Sequence, residues 1–163
     1  MKKNPKISGR ATLVKTVARL RRQGKTIAFT NGCFDILHFG HVSYLQSAKK
    51  GKRVLIVGIN SDASVRRLDK GPGRPVNPEG ARAEVLAALA CIDYVTIFEE
   101  TTPQKLIEAV QPDVLIKGAD WKGKYVIGSD VVRARGGKVE FIKYIDHFST
   151  TGTINKILKT HGA

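Results

Sequence analysis

Acidic residues are scarce in this 163-residue chain: 14 Asp and Glu stand against 28 Lys and Arg, leaving a formal charge of +14. Cysteine is scarcer still. Two thiols, Cys33 and Cys91, form no disulfide scaffold in a chain of this length and match no zinc-ligand spacing, so both are expected to be reduced. No window approaches the roughly 18 consecutive apolar residues of a membrane helix. The opening Met1-Lys2-Lys3-Asn4-Pro5 lacks the apolar stretch of a secretory signal. With no internal repeat or low-complexity segment either, the expectation is a cytoplasmic protein with no membrane partner. What is present, 42% hydrophobic residues, suffices to bury the core of one domain over residues 1–163, with 1–10 as a flexible basic start.

The surplus of cations selects anionic partners as a class without choosing among phosphorylated metabolites, nucleotides and nucleic acid. Its distribution is uneven. Lys2, Lys3, Lys6, Arg10, Lys15, Arg19, Arg21, Arg22 and Lys25 all precede the first acid, Asp35. No basic stripe interleaved with aromatics and no RNA-binding signature accompanies them, so nucleic acid is not expected as a partner.

Apolar residues at Leu13, Val14, Val17, Ala18 and Leu20 give Ala11 to Gln23 a helical rhythm, stopped by Gly24. Lys25 to Thr30 reads as a buried strand, Gly40 to Lys50 as a helix ended by Gly51, and Arg53 to Ile59 as a β-branched second strand. Three prolines and two glycines between Asp69 and Pro78 mark one conspicuous loop, and Asn77-Pro78 signals a helix start with the amide as cap. That helix is expected to reach about Cys91. Strands follow at Asp93 to Phe98, Asp113 to Lys117 and Lys138 to Ile142, with helices from Thr102-Pro103, at Val131 to Arg135, and from Ser149 to Lys159. Continuous apolar strands separated by helices predict an α/β fold: a Rossmann-like, doubly wound parallel sheet of five strands flanked by helices.

Ligands in such sheets bind beyond the carboxyl ends of the strands. There the first strand empties into Asn31-Gly32-Cys33-Phe34-Asp35-Ile36-Leu37-His38-Phe39-Gly40-His41. His38 and His41, three apart at a helix start, lie on one side of the first turn. Free N–H groups and the helix dipole favour phosphate there, and Gly32 and Gly40 permit close backbone approach. The imidazoles could then donate hydrogen bonds to phosphate oxygens as charge grows on them. A metal reading fails because the pattern is not H-E-x-x-H and the third ligand would have to be Asp35. Neither a dinucleotide fingerprint nor a Walker loop is present.

The string from Thr30 through His38-Phe39-Gly40-His41 resembles the signature of the HxGH nucleotidyltransferase superfamily, in its cytidylyltransferase-like branch. Further segments are similar in order and spacing to the adenylyltransferase domain of ADP-heptose synthesis: Asn60 to Ser64, Arg74 to Pro78, Lys117 to Asp120 and Ser149 to Thr151. The resemblance implies transfer of AMP from ATP to D-glycero-β-D-manno-heptose 1-phosphate, with Mg²⁺ carried by the triphosphate and a homodimer as the assembly. By the same resemblance His38 and His41 are catalytic. Thr30, Asn31, Gly32, Phe34 and Gly40 belong with the triphosphate, as do Lys117, Gly118 and the hydroxyls Ser149, Thr150 and Thr151. Asp35, Asn60, Asp62, Arg74, Arg82 and Asp120 fall to the substrates, Asp35 being open equally to a loop-closing role. Trp121 reads as rim packing or as a stacking surface.

Two departures stand out. Gly152-Thr153-Ile154 replaces a polar residue followed by paired aliphatics, which loosens the first turn of the last helix, and Lys122-Gly123-Lys124-Tyr125 replaces a generally acidic segment. The rival within the same chemistry is a cytidylyltransferase acting on glycerol 3-phosphate. The rival of another class is a non-catalytic nucleic-acid binder.

Overall fold

The computed structural model describes residues 4–161; Lys2 and Lys3 of the basic start lie outside them. Five parallel strands form one sheet: β1 (Ile27–Gly32), β2 (Val54–Asn60), β3 (Tyr94–Phe98), β4 (Val114–Gly118) and β5 (Lys138–Ile142), in the order β3-β2-β1-β4-β5. Among the described residues seven α-helices accompany them: α1 (Arg10–Arg22), α2 (Phe39–Ala48), α3 (Asp62–Arg67), α4 (Glu79–Ala87), α5 (Gln104–Val110), α6 (Ser129–Ala134) and α7 (Thr150–His161). A short 3₁₀ turn spans Ala119–Trp121.

The alternation along the central strands builds the two layers, because successive residues of a strand face opposite sides of the sheet. Ile27 and Phe29 of β1, with Val54 and Ile56 of β2, join Leu13, Val17 and Leu20 of α1 and Leu106, Ile107 and Val110 of α5. Ala28, with Leu55, Val57 and Ile59, joins Tyr44 and Leu45 of α2 and Ala83 and Leu86 of α4 on the other face. Every residue of β2 is buried, which is why its sequence runs apolar without alternation. Gly58 is the exception in size. A Cβ there would stand 2.9 Å from the Phe29 ring and 3.0 Å from Leu106.

The expected element order holds, and four details differ. Asn77 does not cap α4: the N-cap is Pro78 without a side-chain bond, and the Asn77 side chain is engaged elsewhere, its Nδ2 donating to the Asp35 carbonyl at 2.7 Å. The helix also ends at Ala87, short of Cys91. α3 went unforeseen; its six residues are too few to show a helical period, although Ser61 caps it through a bond from the Ser64 amide at 3.1 Å. Finally, part of the start expected to be flexible is tied to the edge of the sheet. Ile7 bridges Val95 in parallel fashion, with Val95 N donating to Lys6 O at 2.8 Å and Ser8 N to Val95 O at 3.1 Å.

Candidate active site

Chain order reverses between β1 and β4, where β1 runs on to β2 on one side and meets β4 on the other. This is the switch point at which open parallel sheets leave a crevice. A cleft of about 680 Å³ opens there, lined from β1 and its loop by Asn31, Gly32, Cys33, Phe34 and Asp35, from α2 by His41 and Tyr44, and from β2 by Asn60. Across it stand Lys117, Gly118 and Trp121 after β4, Tyr144 after β5, and Thr150 and Thr151 at the start of α7. Lys70 and Arg74 close one side from the loop that precedes α4.

His38 caps α2: its Nδ1 accepts the His41 amide at 3.4 Å, a contact that favours the tautomer with its proton on Nε2, while the same amide donates to His38 O at 2.9 Å. The two imidazoles stack with centroids 3.8 Å apart and planes inclined by 18°. The Phe148 ring stands 6.5 Å from that of His38 with planes inclined by 25°, and Phe34 tilts against His41 at 5.1 Å. Gly40 makes room for this stack, since a Cβ there would stand 3.2 Å from both His38 Nδ1 and Phe148 Cβ. Burial pushes the His41 imidazole down to about 4, with repulsion from His38 acting in the same sense, while the nearby Ile36 carbonyl opposes it. Burial lowers His38 as well. Both rings are therefore neutral N–H donors near pH 7. His41 Nδ1 is buried with no hydrogen-bond partner among the described residues.

Asp35 closes a loop. Its carboxylate, wholly buried, accepts Arg74 Nε at 2.5 Å, Val76 N at 3.0 Å and Asn77 N at 2.9 Å. Burial alone would raise its pKa, but the amides of Asn77 and Val76 and the Arg74 guanidinium outweigh it and hold the group below the usual carboxylate range. Arg74, 9% exposed, is thus fixed at the cleft wall instead of waving in solvent. Phe34, just before Asp35, takes a left-handed backbone with φ 46°, an uncommon conformation for a residue with a side chain, and its ring is buried.

Several expected site residues do not line the cleft. Thr30 is fully buried, its hydroxyl 2.8 Å from that of Tyr44. Arg82 and Asp62 are paired with each other at 2.7 Å, and the Arg82 guanidinium, entirely inside, also donates to Cys33 O at 2.6 Å and Asn77 O at 3.0 Å. Its hydrogen bonds are thereby committed to protein groups. Gly40 sits beneath the His38 ring, Ser149 Oγ accepts the Gly152 amide at 2.9 Å as a turn closure, and Asp120 stands beside Gly118, whose Cβ would lie 2.3 Å from Asp120 Oδ1. His38 itself is at the edge, stacked behind His41.

Other wall residues carried no sequence signal of their own. Tyr44 and Tyr144 stack at 4.9 Å, and Tyr144 packs so closely on Gly118 that a Cβ there would lie 2.1 Å away. The position of Tyr144, two residues beyond β5 at a carboxyl strand end, could have marked it. Tyr44 reads as ordinary core on an apolar helix face.

The comparisons with known proteins bear on this geometry. The family described as cytidylyltransferase-like matches residues 29–149. The chain is 55% identical over 138 residues to the bifunctional protein HldE of Syntrophotalea carbinolica, covering 85% of this chain and 28% of that one. With HldE of Campylobacter fetus subsp. fetus it shares 58% identity over 139 residues, covering 85% and 29%. With that of Citrifermentans bemidjiense it shares 52% over 156 residues, covering 96% and 32%. The chain thus spans under a third of the length of these curated relatives. Among solved structures, a lipopolysaccharide core biosynthesis protein from Thermoplasma volcanium GSS1 superposes with a TM-score of 0.61 at 26% identity, over 76% of this chain and 98% of that one. A pantoate-beta-alanine ligase from Francisella tularensis shares the fold at a TM-score of 0.59 and 16% identity, over 94% of this chain and 78% of its own.

Proposed function

The chain belongs to the cytidylyltransferase-like family, and from that premise we propose that it transfers AMP from ATP to D-glycero-β-D-manno-heptose 1-phosphate, releasing ADP-heptose and pyrophosphate. The observation that carries the chemistry is the stacked His38–His41 pair, neutral and donor-ready, at the start of α2 in a cleft that also holds Lys70, Arg74 and Lys117. The choice of adenine and heptose rests on the later segments, Asn60 to Ser64, Lys117 to Asp120 and Ser149 to Thr151, and on similarity to HldE proteins over most of this chain. The neighbour described as a lipopolysaccharide core biosynthesis protein supports a product destined for a surface glycan.

In this reading an oxygen of the sugar phosphate attacks the α-phosphorus in line, one P–O bond forms, and the bond to the β-phosphate oxygen breaks. The nucleophile is already an anion, so no general base is needed. The protein positions the two phosphates and offers donors where negative charge develops. His41 reaches them from the cleft wall and His38 from its edge through Nε2–H. Thr150 and Thr151, at the amino end of α7, present hydroxyl and backbone donors to the same polyanion. Asp35 acts through Arg74, holding that guanidinium at the wall.

A divalent cation would shield the triphosphate and draw charge from the leaving group. The described residues bring together no group of three His, Cys, Asp or Glu, and Asp35 is fully spent, so such a cation would be held by phosphate oxygens and water. The enzyme is proposed to act as a homodimer in the cytoplasm.

Pyrophosphate release across a grid of ATP and CTP against heptose 1-phosphate, glycerol 3-phosphate and other sugar phosphates tests this reading. Turnover with ATP and heptose 1-phosphate is expected; turnover with CTP and glycerol 3-phosphate alone would replace it with the cytidylyltransferase reading. His38→Ala and His41→Ala should each lower kcat by about 30- to 1,000-fold, the cost of roughly 2 to 4 kcal/mol of lost oxyanion-type donation. Near-normal turnover in both variants would refute the mechanism.

A further inference from the structure

The strand ends divide the cleft into two halves, because alternate residues of β1 and β4 face opposite sides of the sheet. Thr30 and Gly118 point towards α2, where Thr30 meets the Tyr44 hydroxyl and Gly118 lies against Tyr144. His41 is in that half, and Thr150 is tied to it through Ile36 O. Asn31 and Lys117 follow Phe29 and Leu115 by two residues and so take the opposite side, towards α5, where Lys117 Nζ donates to Asn31 Oδ1. The loops after β2, β3 and β4 build this second half. Ser64 Oγ donates to Glu100 O at 2.7 Å, which ties α3 to the loop after β3, and a Cβ on Gly128 would lie 2.6 Å from Ile107, which seats the loop after β4 on α5. Leu68, Thr101, Thr102, Pro103 and Ile127 line it together with the Trp121 ring. Thr101 and Thr102 are exposed, and the carboxylate recorded on the cleft wall, Asp35, is already occupied by Arg74. Trp121 is 38% exposed, with Lys117 Nζ over its ring at 5.7 Å from the centre. The Asn31 oxygen and the ring face both favour the ammonium.

In-line displacement decides what this half receives. The attacking oxygen and the leaving pyrophosphate stand on opposite sides of the α-phosphorus. With the triphosphate held by donors of α2 and α7 on one side of the strand ends, the acceptor has to approach from the other.

We propose that the half towards α5 is the acceptor site: the apolar face of the sugar ring packs on Trp121, and Lys117 beside it takes the phosphate of the sugar instead of the triphosphate. This rests on the nucleotidyltransferase reading and deepens it by giving the two substrates separate halves of the cleft. A pyranose presents C–H groups on its faces and hydroxyls around its edge. An aromatic plate removes such a face from water, and the hydroxyls of Thr101 and Thr102 can donate to or accept from the edge. The adenine is thereby placed away from Trp121.

The chain has one tryptophan, so tryptophan emission reports on this ring alone. The test titrates Trp121 fluorescence with the Mg²⁺ complex of α,β-methylene ATP, in which the bond that would break is replaced, and then with heptose 1-phosphate, calorimetry following the binding of each. The analogue alone should leave the emission unchanged, and heptose 1-phosphate should shift it to shorter wavelength as the ring leaves water. Trp121→Ala should raise KM for heptose 1-phosphate by about tenfold with KM for ATP unchanged, and Trp121→Tyr should recover most of that loss. Lys117→Gln should raise the same constant and leave that for ATP alone. Quenching by the analogue with no response to the sugar phosphate would overturn the proposal, as would equal rises in both KM values, or bound sugar phosphate with silent emission. Failure of both ligands to bind would instead refute the nucleotidyltransferase reading itself, which keeps the two failures apart.

Discussion

At the scale of single residues, Arg82 and His41 show how burial decides use. Arg82 reads in sequence as one more cation near a phosphate site, yet its guanidinium joins three separated segments: the Cys33 carbonyl after β1, the Asn77 carbonyl before α4, and Asp62 at the start of α3. Arg82→Met should cost about 3 to 5 kcal/mol of stability, because it strands a carboxylate and two carbonyls while keeping the volume. Thermal unfolding of the variant measures this, and a loss below 1 kcal/mol would show that the three segments hold without it. His41 makes the fold acid-sensitive. Its value of about 4 in the folded protein lies below that of the unfolded chain, so the unfolded chain binds the proton first and stability falls as pH drops from about 6.5 towards 4. Comparing melting temperatures at pH 7 and pH 4.5, His41→Leu should lose less on acidification than the wild type. The histidine motif was legible because its spacing and helix-start position are local. The fates of Arg82, Asp62 and Thr30 were not, since they depend on partners 14 to 49 residues away.

At the scale of elements, α2 and α7 both open at the cleft but are anchored differently. α2 buries Tyr44, Leu45 and Ala48 against the sheet, whereas α7 has no buried residue and leaves Ile157 and Leu158 exposed. A long bond from Thr150 Oγ1 to Ile36 O at 3.4 Å ties its start to the body. Few buried contacts mean low local stability. Amide hydrogen exchange in α7 should therefore run at least tenfold faster than in α2, and saturating ATP should slow it if Thr150 and Thr151 hold the triphosphate. Exchange unchanged by ATP would remove them from the phosphate seat. The first turn of α7, expected to be loosened at Gly152, carries two side-chain bonds: Ser149 Oγ accepts the Gly152 amide, and Thr153 Oγ1 donates to Ser149 O at 3.0 Å.

At the scale of the whole molecule the question is what a charge of +14 accomplishes. Lys70, Arg74 and Lys117 line the cleft, where a polyanion bound as proposed would offset their mutual repulsion. The early block is partly structural. Lys6 donates to Leu89 O at 3.1 Å, Arg10 pairs with Glu100 at 2.6 Å, and the segment between them covers the edge of β3. Removing residues 1–10 should cost about 2 to 4 kcal/mol, from several hydrogen bonds of roughly 1 kcal/mol each, while leaving kcat per folded molecule little changed. A fall in kcat without loss of stability would tie the block to the substrates instead. The sequence by itself determined the layered α/β architecture, the strand order along the chain and the histidine loop at a helix start, because periodicity, punctuation by Gly and Pro, and helix-start chemistry all act over a few residues. Tertiary structure alone decided which cations were free. Pairing is a matter of distance in space, and the same guanidinium is a ligand group in a cleft or a tie beneath it according to which carboxylate the fold sets beside it.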